Sequence, residues 1–203
     1  MSTDLKQRII ETSFSLFLRH GIKSITMDYI ASQVGISKRT LYETFKDKDE
    51  LLLECLTWNR QEITQMTLKI ASSAGNALEF LLETFMSSWA RMRNANRNYF
   101  SDMKRYHPNV ARMLDTDKVY QAQEMAAVIE QGKAEGVIRM DCRSDILSQL
   151  LATEFDFLFS LDEICTVKFT FMEAFEEIFK TYIRGIATPK GLEIYNNYFT
   201  TRP

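Results

Sequence analysis

The residues best suited to chemistry lie near the start of the chain. Positions 37–48 read SKRTLYETFKDK, where Lys38 and Arg39 are adjacent cations, Thr40 adds a hydroxyl and Tyr42 a phenol. These types suit a polyanion with readable edges. A guanidinium fork matches the O6 and N7 of guanine, an ammonium reaches a base acceptor or a phosphate, and a threonine bonds a base edge or touches a thymine methyl. The Tyr42 hydroxyl suits a phosphate and its ring a sugar edge. Lys48 opens a helix, so free amides and the helix dipole add to its charge for phosphate binding. Thr26, as a helix cap, offers the same earlier in the chain. Phosphate contacts fix position, and base contacts choose sequence.

Such residues work only if short helices position them. Thr26 is a good N-cap for a helix over 27–34, which Gly35 closes. Ser37 caps the next helix, predicted over 38–45. Gly35 suits the positive φ that the turn between them needs. Ile30, Ala31, Val34, Ile36, Leu41 and Phe45 face inward, which leaves Lys38, Arg39, Thr40, Tyr42 and Glu43 outward. In a helix-turn-helix the second helix lies in the major groove with its N-terminal end toward the bases, here Ser37 to Thr40.

The charge distribution agrees. Residues 1–48 hold eight Lys and Arg against five Asp and Glu, a net charge of +3, which leaves −5 for the remainder of a chain totalling −2. A basic head precedes an acidic body.

The rest reads as helix. Apolar residues recur at helical spacing throughout, proline occurs at 108, 189 and 203, and no Asn-Gly or Asp-Gly hairpin signal appears. Helices are predicted over 3–20, 48–71, 77–94, 99–106, 110–135, 144–161 and 167–186. The tail 187–203 is expected to be partly helical, over 192–199. With 203 residues, 45% of them apolar and 26% charged, the chain can bury a proper core. No stretch of roughly 18 uncharged apolar residues suggests a membrane span. The N-terminus is charged where a signal peptide needs an apolar core, so a cytoplasmic protein is expected. Cys55, Cys142 and Cys165 are scattered and read as reduced, small hydrophobes. No His/Cys ligand set occurs and Gly132 to Gly136 reads as a helix end, so neither metal nor cofactor is expected.

The stretch Thr26–Leu52, TMDYIASQVGISKRTLYETFKDKDELL, resembles the DNA-binding signature of the TetR/AcrR family of bacterial transcriptional regulators. The matching pieces are the threonine cap before MDYIA, the GIS turn, TLYETF and the K-D-E-LL that follows. The family's usual small residue two places after the turn serine is Arg39 here. The resemblance implies an all-α protein: a helix-turn-helix DNA-binding domain over 1–48, then a helical effector-binding and dimerisation bundle over 49–203. It implies a ligand-responsive regulator, a repressor released from a palindromic operator by a small apolar or amphipathic effector. The effector pocket would draw on Met86, Trp89, Tyr99, Met103, Met113, Tyr120, Asp156 and Phe157, which lie on helices that the family wraps around its ligand. Each of these residues also fits an ordinary core position. The helices 144–161 and 167–186 carry phenylalanines on several sides, as a core face plus a subunit interface require, and the resemblance implies the same pair. A two-fold dimer would set two reading helices roughly 34–36 Å apart on double-stranded DNA. Two other readings are an architectural helical DNA-binding protein without a ligand and a helical enzyme. For the enzyme the sequence supplies no metal set, no nucleophile with a base and no phosphate-cradling loop.

Overall fold

The computed structural model describes residues 3–93, 95, 96, 98–160 and 171–201, with backbone alone at 3, 113–118, 152, 154–160, 171 and 201. Ten helices occur among them: α1 (Thr3–His20), α2 (Met27–Val34), α3 (Lys38–Thr44), α4 (Lys48–Ser73), α5 (Ala77–Met92), α6 (Asn98–Tyr106), α7 (Pro108–Ala134), α8 (Ser144–Ser160), α9 (Phe171–Ile186) and α10 (Pro189–Thr201). The described residues contain no strand; Ile138 and Ala187 form an isolated antiparallel bridge. No helix among them is long and apolar enough to cross a membrane.

The chain forms two compact units, residues 1–66 with 94–114, and residues 67–93 with 115–203. The sequence-based boundary at residue 48 falls on the first residue of α4.

In the first unit, Ile9, Phe17, Ile22, Ile30, Leu41, Phe45, Leu51, Leu52 and Met103 are buried in one core. Each such side chain contributes about 1.5–3 kcal/mol of burial free energy. The core draws on α1 to α4 and α6, so α6 is part of what holds the first three helices. Its approach is also polar: the Asn96 amide donates to the Leu18 carbonyl at 2.6 Å, and the Lys23 amide donates to Asp102 Oδ2 at 2.8 Å. His107, read from sequence as a surface or capping residue, is buried. Its carbonyl does cap α7, accepting from the amides of Val110 and Ala111.

In the second unit, Phe85 of α5 stacks on Phe175 (centroids 5.1 Å apart) and on Phe179 (3.6 Å) of α9. Phe175 and Phe179, four residues apart, therefore share one face of α9 and fill this core. Of the sides expected to carry phenylalanine, Phe169 lies outside the described residues, as does the side chain of Phe171. The tail is helical over 189–201, further than expected, and buries Tyr195. Thr-Pro-Lys-Gly starts a helix well: Pro189 occupies the first helical position, where no amide is missed, and the Thr188 hydroxyl accepts from the Gly191 amide at 3.1 Å. The same hydroxyl donates to the Gly136 carbonyl at 2.8 Å. Cys55 is buried and free, Cys142 is partly buried and free, and Cys165 lies outside the described residues.

Candidate nucleic-acid interface

The reading unit is built by its caps. Thr26 Oγ1 accepts from the Tyr29 amide at 3.1 Å and starts α2. Gly35 ends it at φ 77°, with its amide donating to Ser32 O and the Ile36 amide to Ala31 O. This paired bonding satisfies the last carbonyls of α2 and turns the chain sharply. Ser37 Oγ then accepts from the Thr40 amide at 3.0 Å and starts α3. Leu41 and Phe45 are buried below, and the expected last residue, Phe45, is the C-cap of a helix ending at Thr44.

The sequence-predicted DNA contacts divide by environment. Lys38, Arg39 and Tyr42 are exposed on α3, and the Arg39 side chain is 88% exposed. Thr40 is half-buried, its hydroxyl 2.8 Å from that of Ser37. Thr26 and Ser37 are exposed caps. Tyr29, which sequence reasoning passed over, is as exposed as Tyr42 (43% and 44%). Helical spacing alone gives no reason to single it out.

Lys48 is placed otherwise than expected. Its ammonium donates to the carbonyl oxygens of Ile22 and Ile25, each at 2.5 Å. Burial holds its pKa below the ordinary lysine value, against the opposing pull of Asp102 and Asp49. The first turn of α4 is closed on itself: Asp47 Oδ1 accepts from the Glu50 amide and Glu50 Oε2 from the Lys46 amide. With Asp49 this puts three carboxylates at a helix start that was expected to receive a phosphate. The side chain of Lys48 instead fastens the loop that leads into the Thr26 cap.

The exposed cations have acidic partners. Lys38 Nζ lies 2.8 Å from Asp28 Oδ1, joining α3 to α2, and the Lys38 pKa is raised chiefly by that hydrogen bond. Arg39 Nε donates to Glu43 Oε1 at 2.8 Å along α3.

The pocket candidates are divided between the two units. Tyr99 and Met103 lie in the first core, where Tyr99 meets Phe14 edge-on. Met86 and Trp89 are packed against the second core. Tyr120 is 63% exposed, and the side chains of Met113, Asp156 and Phe157 lie outside the described residues. A recess of about 170 Å³ in the second unit is lined by Ala71, Ala74, Asn76, Ala77, Phe80, Val128 and Gln131, which include none of the eight.

This head has counterparts. Residues 9–55 match the sequence pattern of the family described as bacterial regulatory proteins, tetR family. Residues 9–55 thus carry the N-terminal sequence pattern of that family. Over 65 residues the chain is 38% identical to the HTH-type transcriptional regulator YhgD of Bacillus subtilis, an alignment covering 32% of this chain and 34% of that one. The chain thus spans about a third of YhgD's length in that match. The similarity to YvaF of Bacillus subtilis, another HTH-type transcriptional regulator, is 25% over 183 residues, 90% of this chain and 95% of that one. KstR2 of Mycobacterium tuberculosis, an HTH-type transcriptional repressor, is 26% identical over 148 residues, 70% of this chain and 74% of that one. The solved structure of KstR2 matches with a TM-score of 0.62 at 20% identity, covering 93% of this chain and 97% of that one, which shows a shared fold.

Proposed function

We propose that the protein is a cytoplasmic, homodimeric repressor that α3 seats on a palindromic operator and that a small apolar or amphipathic effector releases. The observation that carries the reading is the exposed N-terminal end of α3, with Lys38 and Arg39 facing solvent above a buried Leu41 and Phe45. Residues 1–48 form the DNA-binding head, and 49–203 supply effector binding and dimerisation. Arg39 reads guanine, Thr40 and Ser37 lie beside it, and Lys38, Tyr42 and the Thr26 cap fix the backbone register. The relative KstR2 is a repressor, which favours that sign of regulation.

Dimerisation through α8 and α9 is supported by Ile146 and Leu150. They lie one turn apart on α8, and 46% and 52% of their surface is exposed. A second copy would cover them. Effector binding in the second unit would act through α4, whose residues belong to both units. Only a ligand with different affinities for the two states can shift the heads off their half-sites.

Fluorescence anisotropy on duplex DNA flanking the protein's own gene, at several salt concentrations, tests the reading. Wild type is expected to bind tightly and salt-steeply. Arg39→Ala is expected to lose about 1–3 kcal/mol of discrimination at one base pair per half-site. Weak, sequence-blind wild-type binding, together with a randomised-duplex selection that enriches no palindrome, would overturn it.

A further inference from the structure

Both cations at the start of α3 are already paired with carboxylates. Lys38 lies 2.8 Å from Asp28, and Arg39 lies 2.8 Å from Glu43. The first turn of α3 carries no acid of its own. One carboxylate comes from the start of α2 and the other from the following turn of α3. Two positive and two negative charges thus meet where the helix would enter the groove. We propose that Asp28 and Glu43 are specificity-determining residues: they neutralise the reading tip, so that it is drawn to base edges rather than to any phosphate. The inference rests on the reading of α3 as the DNA-reading helix.

The geometry of Arg39 gives the pairing its use. Glu43 takes the Nε hydrogen at 2.8 Å. The two terminal amino groups remain for a bidentate bond to guanine O6 and N7. Glu43 is therefore a positioning residue for Arg39. A guanine edge carries no net charge, so the carboxylate can stay in place while the base is read. A phosphate oxygen gripped by the same guanidinium would come up against that carboxylate. The acid therefore penalises one mode of binding and spares the other, which is how a repulsive element creates specificity. Asp28 does the same for Lys38, whose ammonium must leave a partner before it can serve a phosphate. Backbone contacts supply most sequence-blind affinity and its salt dependence. A tip without net charge lowers that term while keeping its donors.

The isosteric variants Asp28→Asn and Glu43→Gln, made singly and together in the full chain, test this. Both side chains are more than half exposed, so neither is needed for the core. The first probe is an alternating A·T duplex. The double variant is expected to bind it on the order of tenfold more tightly at low salt, with a log–log salt slope steeper by roughly 0.9 for each carboxylate removed per head. The second probe is a randomised duplex pool, from which wild type is expected to enrich a guanine that Glu43→Gln enriches less. In an Arg39→Ala background, Glu43→Gln is expected to leave the enriched sequences unchanged. An unchanged slope and unchanged A·T affinity would overturn the proposal, as would an effect of Glu43→Gln on base preference that survives the loss of Arg39. If wild type itself enriches no motif, the reading of α3 falls and this inference with it. If wild type enriches a motif and the variants match it, this inference alone falls.

Discussion

His107 Nδ1 lies 2.5 Å from Asp49 Oδ1, joining the α6–α7 corner to the first turn of α4 within the first unit. The imidazole is nearly buried while the carboxylate is half exposed. His107→Ala removes both the bond and packed volume, and is expected to destabilise the unit by about 1–3 kcal/mol in urea unfolding. His107→Asn, whose amide nitrogen lies near the place of Nδ1, should recover part of the loss. Equal destabilisation by both variants would mean that the hydrogen bond contributes nothing.

Lys48→Met keeps the aliphatic stem and removes the ammonium that binds Ile22 and Ile25. Two carbonyls lose their partner, so a loss of about 1–3 kcal/mol is expected, accompanied by weaker DNA binding on every sequence. A direct phosphate contact would instead weaken DNA binding and leave the melting temperature unchanged. The pH dependence has a definite sign. Burial lowers the folded pKa of Lys48 below the ordinary 10.5, so the folded state gives up this proton before the unfolded chain does. Stability owed to this group therefore rises as pH climbs from the folded value towards 10.5. The methionine variant should lack that component of an alkaline stability profile.

Two glycine substitutions should differ in size for different reasons. A Cβ at Gly191 would stand 2.3 Å from the Val137 carbonyl oxygen, with Ala187 and Leu78 close behind, so α10 must shift to admit it. A Cβ at Gly35 meets nothing within 4 Å, and the cost there is the positive φ alone. Gly35→Ala is expected to cost about 1–2 kcal/mol, and Gly191→Ala about 3 kcal/mol or more. Thermal melts in which Gly35→Ala is the more damaging would contradict this ranking.

Ile146→Glu and Leu150→Glu place charge on the exposed apolar stripe of α8. Sedimentation velocity should show the double variant as a monomer with unchanged helical content, and its operator affinity should fall steeply because one head must then bind alone. A variant that stays dimeric would move the interface elsewhere.

The reading unit was the most legible part of the sequence because its signals are local. Thr26, Gly35 and Ser37 each set the backbone within three residues of themselves, and the helix limits at 27, 34 and 38 follow from them. Contacts between distant segments were not legible. Nothing in the spacing of Lys48 points to carbonyls at 22 and 25, and its position at a helix start argued for an outward ammonium. The Asp28–Lys38 and His107–Asp49 pairs were hidden for the same reason. Pocket candidates chosen by residue type could not be sorted by unit, because methionine and aromatic side chains look alike in sequence whether they line Tyr99's core or Trp89's. At the C-terminal end, the tail was expected to be helical over 192–199, and the helix starts earlier, at Pro189, where Thr188 supplies a cap.

The two units also differ in when their parts are made. The head and everything that packs beneath it are encoded by residue 114, whereas the second unit needs α10, the last helix described. Domains made first tend to fold first during synthesis. The first unit is therefore expected to fold while the second is still being translated. If pairing through α8 is needed for tight operator binding, that early reader is a single copy with a single grip. The order of translation then keeps unfinished chains from competing for the operator.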